Sequence, residues 1–248
     1  MASMLEALDL TKRFGGLRAV DKISLRLEEG ELRCIIGPNG CGKTTLFNLI
    51  SGRYKPTSGK VFFNSQDITG RPVHMISRVG IGRKFQIPSI FGSLTVKENL
   101  GVSFFSAKRP SLFTSNSSFR QGREKIAELI GSLGLTEKSE ERAENLSHGE
   151  RQWLEIGMVL ASKPKLMLLD EPTAGMTAAE TSDTAQLIRR ISSETGISVL
   201  VIEHDINFVK EMASRVTVMY KGSIFREGSY TEVRNDEEVR NIYLGRKR

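Results

Sequence analysis

The run Leu32-Arg33-Cys34-Ile35-Ile36-Gly37-Pro38-Asn39-Gly40-Cys41-Gly42-Lys43-Thr44-Thr45 decides the reading of this 248-residue chain. Its last nine residues fit the phosphate-binding pattern G-x-x-x-x-G-K-[ST]. Leu32 to Ile36 reads as a buried strand before it, and Thr44 to Ile50 as a helix after it, closed by Gly52. Strand, loop and helix in that order are the context the motif requires. Glycines let the backbone turn tightly and aim several N–H donors at phosphates, where the following helix adds the positive end of its dipole. Lys43 supplies a point charge, and the Thr44 hydroxyl is a hard ligand for magnesium. Gly37, Pro38, Asn39, Gly40, Cys41, Gly42, Lys43, Thr44 and Thr45 are therefore the expected nucleotide-binding residues. A ligand-free glycine-rich turn is the competing reading, and the intact context argues against it.

The length allows one large domain, with or without a subdomain, and is too short for two full motor domains. No apolar run reaches the roughly 18 residues of a membrane-spanning helix. Glu6 and Asp9 stand where a secretory signal would be apolar, so a cytosolic chain is expected. Lys and Arg outnumber Asp and Glu by 36 to 29, a formal charge of +7, but the basic residues are scattered. With 7% aromatic residues and no nucleic-acid fold motif, no nucleic-acid partner is expected. Cys34 and Cys41 suggest neither a disulfide framework nor a metal site. Cys34 reads as core filling. Cys41, at a helix N-terminus beside Lys43, is expected to have its thiolate favoured, so that alkylation would block nucleotide binding and nucleotide would protect.

Outward from the loop, residues 1 to 30 alternate apolar and polar positions (Leu5, Ala7, Leu8, Leu10, then Val20, Ile23, Leu25, Leu27), the pattern of short antiparallel strands that would cover a base. Phe14 follows the first of them and has a face to offer adenine, although an isolated phenylalanine favours a core or loop role. From about Ile87 the character changes. Thr95 to Leu100 reads as a capped helical start, residues 106 to 122 as an exposed loop, and Ile126, Leu129, Ile130 and Leu133 as renewed helix. Residues from about 87 to 160 thus read as a mainly helical insertion in an α/β domain.

Two apolar strands follow, Leu166 to Asp170 and Ile197 to Ile202, the first running into Glu171 and the second into Glu203 and His204. Functional groups gather beyond the carboxyl ends of such strands. Hydrolysis of a γ-phosphate needs a metal and a positioned water, which divides the labour between Asp170, holding magnesium, and Glu171, orienting or deprotonating the water. Taken singly, His204 reads as a structural histidine and Gln86 carries almost no signal. Ser147 and Gly149, before the helical pattern Trp153, Leu154, Ile156, Gly157 and Leu160, fit a phosphate-facing turn; taken alone, the N-cap reading wins.

As an ordered set these sites resemble an ABC-type ATPase across nearly the whole chain. Phe14 matches that family's adenine-stacking aromatic, residues 37 to 45 its Walker A loop, Gln86 its Q-loop, and residues 146 to 150 its LSGGQ signature. Leu166 to Asp170 matches Walker B, Glu171 the catalytic acid and His204 the switch histidine. The resemblance implies one domain over 1–248: an α/β P-loop NTPase core with an N-terminal antiparallel β subdomain and a helical subdomain inserted at about 87–160. It implies ATP and Mg2+ as cofactors, with Thr44, Gln86 and Asp170 serving the metal, and Glu171, His204 and Gln86 serving catalysis. It further implies a head-to-tail dimer of ATPase subunits, each ATP held between one chain's Walker A loop and the other's signature. In importers of this kind closure is passed to integral membrane permease subunits, here through residues 86 to 100, at the inner face of the cell membrane, with a periplasmic substrate-binding protein acting indirectly.

His148 and Glu150 depart from the signature, and Thr177 stands where many relatives carry aspartate. Residues 80 to 86, 146 to 158, Ala174 to Thr177 and the ending Tyr243-Leu244-Gly245 are similar to the branched-chain amino-acid group, and within it most similar to an ATP-binding subunit of a bacterial urea importer. Urea is therefore the expected cargo, with branched-chain amino acids or short amides as the alternative. A soluble ABC protein of translation or DNA repair would carry tandem motors or long coiled coils, and a GTPase an Asn-Lys-x-Asp pattern; neither is present in the sequence.

Overall fold

A computed structural model of the chain describes residues 3–84, 90–106 and 116–244. Two long antiparallel strands, β1 (Ser3–Phe14) and β2 (Leu17–Glu28), lead into β3 (Leu32–Ile36) and α1 (Lys43–Ile50). β4 (Ser58–Phe63), β5 (Gln66–Asp67), α2 (Val73–Val79) and β6 (Ile81–Arg83) follow. Then come α3 (Val96–Ser106), α4 (Asn116–Ser132), two short 3-10 turns and α5 (His148–Ala161). The chain returns through β7 (Leu166–Asp170), α6 (Ala178–Thr195), β8 (Ser198–Ile202), α7 (Ile206–Met212), β9 (Arg215–Tyr220) and β10 (Ser223–Gly228), and finishes with α8 (Tyr230–Asn235) and α9 (Glu237–Leu244).

The first sheet has the order β2-β1-β4-β5, antiparallel throughout; the second has the order β10-β9-β3-β8-β7-β6. In the second sheet β9, β3, β8, β7 and β6 are parallel and only β10 is antiparallel. Period-2 alternation divides its strands between two cores. Ile35, Leu166, Leu168, Leu200 and Ile202 face the first sheet and α1, where they meet Leu5, Leu25, Phe47 and Phe63. Cys34, Met167, Leu169, Val199 and Val201 face the helices of the other side. This double burial explains why β3, β7 and β8 read as continuous apolar runs. Cys34 is buried core, as the sequence implies.

Thr95 caps α3 reciprocally: its hydroxyl accepts from Glu98 N (3.1 Å) while the Glu98 carboxylate accepts from Thr95 N (2.8 Å). The expected loop over 106 to 122 is corrected, because Ser106 ends α3 and α4 begins at Asn116; residues 107–115 lie outside the described residues. Gly122 read as a breaker but lies inside a helix. A Cβ there would come within 3.0 Å of the Phe105 ring and 3.3 Å of the Phe104 ring, so the missing side chain permits close packing of α4 on α3.

Candidate functional site

The glycine-rich loop 37–45 is clamped between distant strands. Gly37 has φ +152° and Gly42 φ +106°; a Cβ on either would stand 2.2 Å from a carbonyl oxygen, of Met219 and Ala19 respectively. Only glycine fits both positions. The Cys41 carbonyl accepts from Gly222 N (3.0 Å), and the Gly222 carbonyl from Asp21 N (2.8 Å), so β2 and the β9–β10 turn hold the loop in shape. Gly42 is the N-cap of α1, and Lys43 folds back over the loop, donating to the carbonyls of Gly37 (2.7 Å) and Pro38 (3.1 Å). Asn39 and Gly40 are exposed at the tip, while Thr44 and Thr45 are half-buried in the first turn of α1.

Cys41 is a correction. Burial pushes its thiol above the usual range, and this outweighs the opposing effect of Lys43, whose ammonium lies 4.0 Å from Sγ. The expected favoured thiolate is therefore not present. Alkylation of Cys41 in the folded chain should be slower than that of an unhindered thiol at neutral pH, and should rise at higher pH than for such a thiol. Rates of iodoacetamide labelling at Cys41, followed by peptide mass spectrometry across pH, check this; fast labelling at pH 7 would restore the reactive-thiol reading.

Asp170 ends β7 in a buried position where burial pushes its carboxyl up, partly offset by Arg83, with the Thr44 hydroxyl also close enough to favour the charged form. Its Oδ2 takes Arg83 Nη2 at 3.4 Å, while Oδ1 is buried with no hydrogen-bond partner among the described residues. Arg83 also donates to Asn48 Oδ1 (2.7 Å) and Ser51 Oγ (2.8 Å), tying α1 to the end of β7. The structure thus brings Thr44 and Asp170 together. A buried carboxylate beside a hydroxyl is the hard-oxygen donor set that suits Mg2+.

Glu171 follows with φ +50°, a left-handed conformation that costs about 1–3 kcal/mol for a non-glycine residue and is typical of functional positions. Its N–H donates to Ile202 O at 2.9 Å, which fixes the strand-end geometry. His204 Nδ1 lies 3.7 Å from Glu171 Oε1, so the two groups singled out at adjacent strand ends do meet. Beside them Glu203, buried, accepts from Thr173 N (3.0 Å) and Thr173 Oγ1 (2.6 Å) on one oxygen, and from His204 N (3.0 Å) on the other. Gln86 lies outside the described residues. Phe14 sits against Tyr54, ring centroids 5.4 Å apart, and is 43% exposed.

Ser147 is the N-cap of α5 in a full capping box with Glu150, whose carboxylate also takes Lys138 at 2.7 Å. Thr177 caps α6 in the same way with Glu180. The departures at Glu150 and Thr177 thus have local structural work as helix caps. Among the described residues no hydrogen bond or ion pair joins Ser147 or Gly149 to the loop 37–45. The signature turn instead touches the loop after β7, through His148 Nε2 and Ala174 O at 2.7 Å.

Sequence reasoning assigns no role to Arg83, Lys84, Glu155 or Glu203. Lys84 and Glu155 form a buried ion pair at 3.0 Å between the end of β6 and α5. Burial lowers the lysine's pKa, an effect partly offset by Glu155. The available signals were a charge on the apolar face of α5 and an acid directly after an all-apolar strand.

A glycine-rich loop between two sheets, an acid pair at a strand end and a capped turn opening a helix inserted between β6 and β7 form the layout of an ATP-binding cassette. The ABC transporter family model matches residues 20–174, and the chain belongs to that family of ATPases. It is 36% identical over 249 residues, 98% of either chain, to the high-affinity branched-chain amino acid transport ATP-binding protein LivG of Salmonella typhimurium. The ADP conformation of MJ1267, an ATP-binding cassette of an ABC transporter, superposes with a TM-score of 0.88 at 32% identity, over 99% of this chain and 100% of that one. The dimeric structure of MJ0796, a bacterial ABC transporter cassette, does so with a TM-score of 0.79 at 26% identity, over 92% of this chain and 99% of that one. Among the described residues no helix is long and apolar enough to cross a membrane.

Proposed function

We propose that this chain is the ATP-hydrolysing motor subunit of an importer for branched-chain amino acids or short amides. The observation that carries this is the similarity to LivG along essentially the whole length of both chains. It favours the alternative cargo over urea, because the relative's name specifies branched-chain amino acids and a motor subunit's own residues need not touch the cargo.

ATP lies on the 37–45 loop with Phe14 offering its exposed face to adenine. Thr44, Asp170 and Gln86 would hold Mg2+, which would supply charge neutralisation at the phosphates. Glu171 orients the attacking water and accepts its proton, and His204 senses the γ-phosphate beside it. The working unit is a head-to-tail dimer, supported by the dimeric MJ0796 cassette, in which Ser147 and Gly149 complete the partner's site. Cytoplasmic chains of this kind dock on permease subunits at the inner membrane face and serve a periplasmic binding protein indirectly. A cavity of about 340 Å³ lined by Arg83, Lys84, Ser103, Ser106, Glu155 and Met158 opens between the sheet and the inserted helices. Phe91, exposed within 86–100, and the exposed Val102 and Phe105 just after it, beside this cavity, support coupling through the 86–100 region.

Uptake of labelled leucine and labelled urea in cells lacking this chain, complemented with wild type or Glu171→Gln, tests the reading. Leucine uptake restored only by wild type is expected. Restoration of urea alone would return the cargo to urea, and no change in either would remove both leucine and urea as cargo.

A further inference from the structure

His148 replaces a glycine in the signature pattern, and its contacts supply a reason. A carbonyl oxygen can only accept, so the 2.7 Å contact with Ala174 requires His148 to carry its proton on Nε2 and donate it. Gly175 lies beneath the same ring, where a Cβ would come within 3.2 Å of Nε2; Gly149 lies against Glu180, where a Cβ would come within 2.8 Å of Oε1. Further along α5, Trp153 Nε1 donates to Thr184 Oγ1 at 2.9 Å, and that oxygen lies 3.4 Å from Met176 Sδ. At the other end of the loop Glu203 holds Thr173 by two hydrogen bonds, of 3.0 and 2.6 Å, and the backbone of His204 at 3.0 Å. A continuous line therefore runs from His204 through Glu203, Thr173 and Ala174 to His148 and the signature turn.

We propose that His148 is a positioning residue that latches the signature turn to the loop running from Glu171 to Thr177, so that the two move as one body within a chain. This rests on the proposed head-to-tail reading. There the loop belongs to a chain's own ATP site and the signature to its partner's, so the latch links the state of one site to the half-site offered to the other. The loop and the turn are each rigidified by a capping box, and the bond from His148 to Ala174 O joins them directly, with the Trp153–Thr184 bond following one turn further along α5. Removing the donor leaves Ser147 in place as the α5 cap, so nucleotide affinity is retained while communication between sites is lost.

The test compares His148→Ala, His148→Phe (ring kept, donor lost) and His148→Gln (donor kept) in the purified full chain, with ATPase measured against ATP concentration. Wild type is expected to be sigmoidal. Ala and Phe should lower kcat about 5-fold or more and bring the Hill coefficient toward one, with half-saturation within about twofold, and Gln should recover both. A wild type that is already hyperbolic, a Phe variant like wild type, or a Gln variant no better than Ala would overturn the latch. Glu171→Gln run in parallel separates the two levels. If it loses turnover while His148→Phe is silent, only the latch fails; if it turns over normally while His148→Phe is silent, the reading of the site fails with it.

Discussion

Glu171→Gln is expected to lower ATP turnover by about 10² to 10⁴ while leaving ATP binding intact, the range a positioned general base contributes. The change is isosteric and keeps the Glu171 backbone, with its N–H on Ile202 O and its left-handed φ, so the strand end keeps its shape. What is lost is the carboxylate, 3.7 Å from His204, proposed as the base for the attacking water. With hydrolysis blocked and the γ-phosphate retained, the ATP-bound dimer should accumulate, since only hydrolysis releases the state that the γ-phosphate stabilises. Phosphate release under single-turnover conditions and size-exclusion chromatography in ATP measure both effects. Normal turnover would remove Glu171 from the role of base, and a monomer in ATP would remove the trapped dimer.

Lys43→Ala should weaken ATP binding by at least about 30-fold, corresponding to the roughly 2 kcal/mol or more lost when one partner of a buried, hydrogen-bonded charge pair is truncated. The ammonium is buried over the loop on the carbonyls of Gly37 and Pro38, placing a positive charge on the loop where its N–H groups would take anions. Its removal also frees those two carbonyls, so the loop loses internal order as well as charge. Equilibrium binding of a fluorescent ATP analogue reads the effect, with thermal unfolding as a check on the fold. Unchanged affinity would contradict the assignment of 37–45 as the nucleotide site.

Features that depend on neighbours along the chain are legible in the amino-acid sequence itself. The strand-loop-helix at 32–50, the paired acids after an apolar strand, the Ser147 and Thr95 caps and the alternation of β1 and β2 follow from short-range chemistry. Glycines needed for positive φ, side chains that bond a helix N-terminus and the period of apolar residues are all set within a few residues. The departures at Glu150 and Thr177 belong here too, since each serves a capping box completed within three residues of chain.

What only the tertiary structure decided are the properties that depend on which distant residues are packed close by. Cys41 looks activated in sequence, beside a lysine at a helix start, but Met219 and Gly222 close over the loop and burial reverses the expectation. Gly122 looks like a loop residue until α3 supplies the aromatic rings that need its missing side chain. The partners of Asp170, Glu155 and Glu203, namely Arg83, Lys84 and Thr173, lie on other elements, and no local pattern pairs them. Charge and desolvation act through space, so a pKa, an ion pair or a latch such as His148 on Ala174 is determined when strands and helices meet, and local sequence carries only the groups that will take part.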